Sequence, residues 1–448
     1  MYVGCGKDEL SQFVADLVEK LLGDYPKYSV RPVRNDSDVI TLTHRMTPIQ
    51  LIDMDEKNQV IKLKCWLEQS WVDVHMQWES ELYGGADVIQ ISIEHIWQPD
   101  IVLYGSVKDE FDRHYDTDVV IYSNGTIKAL QPYLIIAECA IDATMFPFDE
   151  QKCVFRFASW SYSSRYIDIV KSDDSNIDRF VSNGEWELKE MPVENNSTVY
   201  VCCEDPFPYV EYTLHLKRRS TFYVVNIILP SFLASVLISV GFYLPSDSGE
   251  RVSLCVISIL SQFVFLTVVS DYMPPTSQVI PYLQAYFLIL IGMAVISAFV
   301  TAYTLNLHFP GPACAEVPEY MKKYVVKFLA YISCTQVRIH YMFRRSVFEM
   351  RPMRINDMNH HAGAKDANQV TGLMSGQVEA DETIRSESFD GVSQERRLRE
   401  WREVARLIDR AFLIVYTILL LSLLTGFLSF LAIRGSGWHT EENNDGDH

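Results

Sequence analysis

Four stretches of the chain carry no charged residue: 222–244, 252–269, 279–307 and 411–433. An α-helix rises about 1.5 Å per residue, so a helix over any of these stretches is long enough to cross a lipid bilayer. Buried helices of a large soluble enzyme are the alternative interpretation, but four such stretches, three of them in close succession, argue against it. The pattern therefore predicts a membrane protein with four spans.

The second stretch is more polar than the other three. In and directly after it stand Ser253, Ser258, Ser261, Gln262, Thr267 and Ser270. So many polar side chains are costly in a helix that faces lipid on all sides. We expect this span to be lined by other protein segments or by water.

Basic residues predict the orientation of the spans. Between His308 and Arg410 there are sixteen Lys and Arg residues, whereas the linker 270–278 has none. Basic residues close to the ends of spans favour the cytoplasmic side. The sequence therefore predicts an extracellular domain in 1–220, three transmembrane helices in 221–308, a cytoplasmic loop in 309–410, the fourth transmembrane helix in 411–434 and an extracellular tail in 435–448.

The predicted extracellular domain contains one amphipathic helix followed by strands. Apolar residues recur every three or four positions over 10–22, which predicts the helix. Apolar and polar residues alternate over 210–216, and the Asn-Gly pair within 121–127 is a hairpin signal. A second alternation has its apolar positions at Val72, Val74, Met76 and Trp78. Together these patterns predict a β-sandwich of short antiparallel strands.

The predicted cytoplasmic loop is not uniform. Segment 316–342 predicts an amphipathic helix, whereas 356–388 is polar and rich in Gly, Asp and Ser, which favours disorder. From residue 393 a charged helix is predicted to continue into the fourth span. The start of the chain has no apolar targeting stretch, so we expect a mature or shortened form. Sequons predict glycosylation at Asn35, Asn124, Asn195 and Asn196.

Composition excludes several classes of protein. The chain has 448 residues with 39 Lys and Arg against 58 Asp and Glu, a net charge of −19. So acidic a chain is a poor ligand for nucleic acid, which binds clustered basic residues. The mean hydropathy of +0.02 averages polar and apolar parts of the chain. Zincin, phosphate-loop and nucleophile-elbow motifs are absent from the sequence, so we expect no enzyme, no cofactor and no metal site.

The cysteines and their surroundings resemble a known family. Cys139 and Cys153 enclose thirteen residues in which Pro147 stands between Phe146 and Phe148. This segment resembles the signature loop of the Cys-loop receptors, which are pentameric neurotransmitter-gated channels, and 97–104 and 242–251 extend the resemblance. The adjacent Cys202 and Cys203 resemble those of α-type nicotinic acetylcholine receptor subunits. The resemblance implies two disulfides, Cys139–Cys153 and Cys202–Cys203.

The resemblance also implies an agonist site between neighbouring subunits. Its principal side would be formed by Tyr104, Trp160, Tyr200, Phe207, Cys202 and Cys203, and its complementary side by Trp71 and Leu130 of the next subunit. Aromatic ring faces attract a quaternary ammonium, most strongly where water is excluded. Since one chain has both sides, a homopentamer is feasible. Phe207 stands where the family usually has tyrosine, and Lys128 adds a cation near the complementary side.

By the same resemblance, the second span would line the pore. Its pore face would comprise Ser253, Ile257, Leu260, Val264, Thr267 and Asp271. Rings of Glu250 at the cytoplasmic mouth and Asp271 at the outer mouth would concentrate cations, although Glu250 is also suited simply to start a helix. The three apolar rings between them would gate ions by dewetting, with Leu260 at the gate.

The resemblance further implies how agonist binding reaches the gate. It places Glu56 against Arg218, directly before the first span. The turn formed by Phe146, Pro147 and Phe148 would press on the linker that ends at Pro281. An exposed Glu–Arg pair stabilises a protein little, so the implied role of this pair is coupling.

Three functional hypotheses follow. The first is a cation-selective channel subunit of the plasma membrane, with extracellular termini and a possible postsynaptic location, opened by a small organic cation. Its partners would be that agonist, permeant cations, membrane lipid and identical or homologous subunits. The second is a non-conducting adhesion protein, which needs one span and has no use for a polar second span. The third is an orphan or auxiliary subunit that is silent alone or insensitive to acetylcholine.

Overall fold

The computed structural model describes residues 7–107, 117–172, 177–275, 280–309, 311, 315–332 and 371–437. Side chains are described within these ranges except at 7–11, 330, 371–393 and 432–437. The chain forms two compact units, which are treated separately below. One comprises residues 1–224, 268–283 and 434–448, and the other comprises residues 225–267 and 284–433.

The first unit is built from one helix and a series of strands. In chain order the described elements are α1 (Lys7–Gly23), β1 (Ile40–Asp55), β2 (Val60–Gln77), β3 (Val88–Ser92), β4 (Ile101–Tyr104), β5 (Asp118–Tyr122), β6 (Asn124–Glu138), β7 (Glu150–Ser159), β8 (Ile167–Lys171), β9 (Trp186–Glu190), β10 (Val193–Thr198) and β11 (Phe207–Arg218). Over the described residues these strands form two sheets, in the orders β3-β5-β6-β2-β1-β8 and β10-β11-β7-β4, with β9 on β11. The predicted β-sandwich with its N-terminal helix is confirmed.

Alternating side chains fill the space between the sheets. On β11 the buried positions are Val210, Tyr212, Leu214 and Leu216, as the alternation predicts. Their counterparts on β7 are Cys153, Phe155 and Phe157. Because every second residue of a strand points to one face, these strands bury one apolar row and leave the other row to solvent.

The hairpin prediction is confirmed, whereas the predicted alternation over 72–78 holds only in part. Strands β5 and β6 pair through Ile121 and Ile127, on either side of a tight turn. On β2, by contrast, Val72 is exposed while Asp73 is buried. Tyr25 donates a 2.6 Å hydrogen bond to Asp73, so the buried carboxylate is satisfied. The register with β6 shifts between Val72 and Gln77, and beyond Asp73 the buried position is Met76, as the alternation predicts.

Four helices among the described residues are long and apolar enough to cross a membrane, as predicted. They are α2 (Thr221–Tyr243, with a π-turn at Val224–Ile228), α3 (Arg251–Asp271), α4 (Tyr282–His308) and the Gln394–Leu431 part of α6 (Thr371–Gly437). A shorter helix, α5 (Val326–Ile332), precedes α6 and follows a π-turn at Met321–Val325.

The cytoplasmic-loop predictions meet the structure only in part. Of the predicted helix 316–342, residues 319–332 are helical and 316–318 are not, and 333–342 lies outside the described residues. The segment 356–370 also lies outside them, whereas 371–388, which we expected to be disordered, belongs to α6. This segment continues directly into a long helix, and propagating an existing helix avoids the cost of a new nucleus.

Candidate functional site

Four aromatic side chains of the first unit lie close together at one end of the second sheet. Tyr104 is the last residue of β4, and Trp160 directly follows β7, with which β4 pairs. Their ring centroids are 5.9 Å apart. Tyr200 and Phe207 stand on either side of the adjacent cysteines, with ring centroids 5.5 Å apart. The structure thus brings together the four aromatic residues predicted for the principal side.

Tyr104 connects the two pairs of rings. Burial, together with a side-chain hydrogen bond with Tyr200, raises the pKa of the Tyr104 hydroxyl to about 12. Tyr104 is therefore a neutral phenol at physiological pH. Trp160 is 59% exposed. The cluster consequently presents an accessible, electron-rich indole face beside the rings of Tyr104 and Tyr200, an arrangement that attracts organic cations.

Asp100 holds the segment that positions Trp160. It accepts hydrogen bonds from the Ser159 hydroxyl and, at 2.8 Å, from the backbone N–H of Ser161. The Ser159 oxygen in turn accepts a 2.9 Å bond from the N–H of Tyr162. Sequence reasoning did not assign a role to Asp100, although it belongs to the 97–104 motif. Its carboxylate satisfies the backbone N–H of Ser161, just beyond the end of β7.

Both disulfides implied by the family resemblance are present. Cys139 is joined to Cys153, with their Cα atoms 5.0 Å apart, and Cys202 is joined to Cys203. The N–H of Cys203 donates a 3.0 Å hydrogen bond to the carbonyl of Tyr200. The vicinal disulfide therefore lies in a turn that begins at Tyr200, directly beside the aromatic cluster.

Trp71 does not fit the complementary side for which it was predicted. It is 1% exposed and lies in the core between the sheets, against Trp97, with ring centroids 6.1 Å apart. Leu130, by contrast, is 52% exposed on β6. Strand β2 pairs with β6, and Trp71 lies on the inner face of this sheet while Leu130 lies on the outer face. The assignment of Trp71 to a surface site with Leu130 is therefore corrected.

Trp66 is the tryptophan of β2 that shares a face with Leu130. It stands five positions before Trp71, and an odd separation along a strand places two side chains on opposite faces. Trp66 pairs in register with Pro132, next to the Glu68–Leu130 pair on the same face. It is partly exposed, as a residue of a binding surface must be. Because side chains alternate between the two faces of a strand, the sequence alone could have identified Trp66 as the tryptophan on the same face as Leu130.

Arg218, at the end of β11, is surrounded by carboxylates. Its guanidinium lies 2.9 Å from Glu56, 2.9 Å from Asp149 and 2.6 Å from Glu185, and its side chain is 1% exposed. The guanidinium carbon is also 4.1 Å from the centroid of the Trp186 ring. Sequence reasoning placed Glu56 here but missed Asp149, Glu185 and Trp186, which come from separate parts of the chain.

Burial and charge act in opposite directions in this cluster. Burial raises the pKa of the Glu56 carboxyl above its ordinary value, and the nearby Arg218 offsets that effect only in part. Burial by itself lowers the pKa of Arg218, but Asp149 and Glu56 reverse this effect and raise the pKa above its ordinary value. The guanidinium is thus permanently charged and is shared by three acidic groups.

The Cys139–Cys153 loop contacts residues on both sides of the second span. Phe146 is buried, and its ring lies 4.8 Å from that of Tyr223 at the start of α2. The ring of Tyr223 lies 5.7 Å from that of Tyr272, directly after α3. The N–H of Tyr282, directly after Pro281, donates a 3.1 Å hydrogen bond to the carbonyl of Thr144. Thr144 therefore contacts the chain directly after the predicted linker, whereas Phe146 contacts the start of α2. The role of Phe146, Pro147 and Phe148 in coupling stays a prediction.

Helix α3 divides its polar residues between two faces. Ser258 and Gln262 are buried and donate 2.7 Å hydrogen bonds to the carbonyls of Ala234 and Ser231 on α2. The opposite face is exposed in the single chain and contains Ser253, Ile257, Leu260, Val264, Thr267 and Asp271. The six residues that the family resemblance placed on the pore thus share the face that the chain itself leaves uncovered.

The two acidic residues predicted to ring the pore differ in their surroundings. The carbonyl of Glu250 accepts a hydrogen bond from the N–H of Leu254, so Glu250 starts helix α3, and its side chain is exposed. Asp271 ends the helix and lies 3.4 Å from the ammonium of Lys57 in the turn between β1 and β2. Both side chains of this pair are largely exposed, so the contact is weak.

The four sequon asparagines, Asn35, Asn124, Asn195 and Asn196, are exposed, and their glycosylation stays a prediction. The side chain of Asn195 accepts a 2.8 Å hydrogen bond from the N–H of Lys171.

Within the described ranges no three His, Cys, Asp or Glu side chains are placed to hold a metal ion.

Two family models match the chain. The neurotransmitter-gated ion-channel ligand binding domain matches residues 14–220, and the neurotransmitter-gated ion-channel transmembrane region matches 227–426. The chain belongs to the neurotransmitter-gated ion-channel family. This is a family of channels and not of enzymes, as the sequence predicted. The boundary between the matches falls at the start of the first apolar helix, close to the predicted boundary at residue 220.

Relatives within the family are subunits of acetylcholine receptors, so the predicted nicotinic resemblance is confirmed. The neuronal acetylcholine receptor subunit alpha-9-I of Oncorhynchus mykiss is 39% identical over 335 residues, which cover 74% of this chain and 58% of that protein. The acr-16 subunit of Caenorhabditis elegans is 35% identical over 75% of this chain and 68% of that protein. The alpha-9 subunit of Rattus norvegicus is 31% identical over 90% and 91%. The chain thus spans less than two thirds of the first of these relatives.

Proposed function

We propose that this chain is a subunit of a cation-selective channel of the plasma membrane, opened by a small organic cation bound between subunits. The observation that supports this most directly is the convergence of Tyr104, Trp160, Tyr200 and Phe207 beside a vicinal disulfide. The relatives are acetylcholine receptor subunits, which favours an acetylcholine-like agonist. The assembly is a pentamer of identical or homologous subunits with both termini outside the cell.

The chemistry of the aromatic cluster supports a cationic ligand. A quaternary ammonium is attracted to the negative face of an aromatic ring, and the attraction grows as water is excluded. The cluster offers the indole of Trp160 together with the rings of Tyr104 and Tyr200. Phe207 supplies a ring without a hydroxyl. A neighbouring subunit would close the remaining side with Trp66 and Leu130, and agonist binding would favour the open state because that state binds it more tightly.

The uncovered face of α3 supports the pore. A row of apolar side chains bounded by carboxylates is exposed in one chain, and five copies around an axis would cover it. Glu250 and Asp271 would then form two acidic rings that attract cations and repel anions. Ile257, Leu260 and Val264 would form the dry constriction between these rings.

Expression of the chain in cells without endogenous channels tests the proposal. We expect acetylcholine or choline to evoke currents whose reversal potential follows the Na⁺ gradient and ignores Cl⁻ substitution. Trp160→Leu should raise the half-maximal agonist concentration about tenfold or more, because a cation–π contact in a desolvated site is lost. Phe180→Leu, which alters an aromatic residue outside the cluster, is the control. Silence from a pentamer labelled at the cell surface would contradict the proposal and favour an auxiliary subunit.

Replacing Glu250 tests the origin of the selectivity. Glu250→Gln keeps the backbone carbonyl that starts α3 but removes five charges from the cytoplasmic mouth. We expect the permeability ratio of cations to anions to fall about tenfold, because local ion concentration follows the charge at a pore mouth. The ratio is measured from reversal potentials in dilution gradients, with Glu319→Gln, an exposed carboxylate just before the π-turn at Met321–Val325, as control. An unchanged ratio would leave Glu250 only the role of starting a helix.

A further inference from the structure

A glutamine bonds the buried face of α3 to α2. The side-chain nitrogen of Gln262 donates to the carbonyl of Ser231 at 2.7 Å and to the hydroxyl oxygen of Ser235 at 2.9 Å, so both of its N–H donors are used. One turn earlier, Ser258 donates a 2.7 Å hydrogen bond to the carbonyl of Ala234. Two successive turns of α3 are therefore bonded to the same part of α2.

Helix α2 is also joined to α6. The hydroxyl of Tyr416, which is 2% exposed, donates a 3.2 Å hydrogen bond to the carbonyl of Ser235. Farther along α2, the ring of Phe242 lies 4.8 Å from that of Phe412. These contacts make α2 a support against which α3 is held. A displacement of α3 away from this support lengthens the hydrogen bonds of Gln262.

The stability of the bundle does not account for a glutamine at this position. Gln262 is fully buried, and no donor among the described residues reaches its Oε1 atom. A buried acceptor without a donor costs free energy that an apolar side chain avoids. Loss of the carboxamide would leave α2 satisfied, because the Ser235 hydroxyl donates a 3.2 Å bond to the Ser231 carbonyl within that helix. The glutamine is better explained by what it does to the position of α3.

We propose that Gln262 is a positioning residue of the gate, which holds α3 back against α2 while the pore is open. This inference rests on the proposed function, because it requires the uncovered face of α3 to line the pore. Gln262 lies on the buried face, so its bonds draw α3 away from the axis of the pentamer. Closing the apolar constriction brings the five copies of α3 closer to that axis, and no bulk water replaces the bonds that are lost. Gln262 and Ser258 thus favour the open state.

Gln262→Met tests the inference on the full-length channel, because methionine is similarly long and unbranched but donates no hydrogen bond. We expect the half-maximal concentration of acetylcholine or choline to rise about fivefold, since each subunit loses two interhelical bonds that favour opening. Single-channel conductance should stay unchanged, because no residue of the pore face is altered. Ser258→Ala should shift the response in the same direction. Concentration–response curves and single-channel records measure these quantities.

A double-mutant cycle separates the hydrogen bond from a general effect on packing. Ser235→Ala removes the hydroxyl that Gln262 contacts, so the double variant should shift the response by clearly less than the product of the two single shifts. Ser261→Ala is the matched control, because the Ser261 hydroxyl donates to the carbonyl of Ile257 within α3. This control should leave the response unchanged, and surface labelling shows that each variant assembles.

Three results would overturn the inference. They are a Gln262→Met channel that opens at the same or a lower agonist concentration than the parent, single shifts that multiply fully in the cycle, and loss of Gln262→Met from the cell surface. The last result would assign the glutamine to the stability of the bundle. An unaltered chain that reaches the surface but conducts with no ammonium compound would instead contradict the proposed function itself.

Discussion

Replacing Leu260 with serine is expected to lower the half-maximal agonist concentration about tenfold or more and to produce openings without agonist. Leu260 lies midway along the uncovered face of α3 and is 63% exposed in the single chain. In a pentamer five such side chains would form the central apolar ring, and each loses about 2 kcal/mol of apolar burial or contact when leucine becomes serine. A tenfold shift requires only that the closed state be destabilised by about 1.4 kcal/mol more than the open state.

Concentration–response curves and the current that a pore blocker removes in the absence of agonist measure this effect. Leu254→Ser, the same change about 120° away around the helix, is the control and should leave the gate intact. A Leu260→Ser channel no more sensitive than the parent would contradict the assignment of this face to the pore.

The strands of the sandwich show what hydropathy does and does not determine. The alternation over 210–216 is unbroken, and its phase is correct. In β2 the apolar residues Ile61, Leu63, Cys65 and Leu67 alternate with polar ones, and this alternation places Trp71 inside and Trp66 outside, as the structure has them. The assignment of Trp71 to the surface came from the family resemblance and not from this alternation. Directly after Trp71 hydropathy fails, because Asp73 is buried where Tyr25, 48 residues earlier, donates a hydrogen bond to it. A burial that rests on so distant a hydrogen bond cannot be derived from alternation.

The second span shows the same limit in another form. Its serines, glutamine and threonine predict contact with protein or with water. In the structure some of these side chains contact protein and others are exposed. Ser258 and Gln262 bond to α2, whereas Ser253 and Thr267 are on the uncovered face. The polar residues alone therefore form no continuous stripe along the helix. Which face of α3 lines the pore was inferred from the family resemblance. In the structure, the buried hydrogen bonds between α3 and α2 determine independently which face of α3 stays uncovered.

Arg218 is the second residue whose replacement should have a large effect. Its side chain is buried among Glu56, Asp149 and Glu185, and Asp149 is itself almost fully buried. Arg218→Gln leaves these acidic groups without a cation, and breaking a buried ion pair from one side costs about 3–5 kcal/mol. We expect this variant to lose most of its surface expression, measured by labelling of intact cells.

A milder replacement separates folding from coupling. Arg218→Lys keeps a charge but loses the planar fork that reaches several carboxylates at once. The variant should reach the cell surface and bind agonist near normally, yet open poorly, because the cluster joins the end of β11 to Tyr223, whose hydroxyl lies 3.2 Å from the guanidinium. Lys217→Gln, one position earlier on the exposed face of the strand, is the control.

A double-mutant cycle between Glu56→Gln and Arg218→Lys measures the pair on the gating equilibrium. Residues in one ion-pair network show interaction energies of about 0.5–3 kcal/mol, whereas independent residues add within about 0.5 kcal/mol. We expect a value of about 1 kcal/mol or more, since the two charged groups are 2.9 Å apart in a largely buried site. Asp149 and Glu185 also form ion pairs with Arg218. A double-mutant cycle between Arg218 and each of them should therefore give a similar interaction energy. Additive effects at all three carboxylates would assign the cluster to stability alone and require another route from the aromatic site to α3.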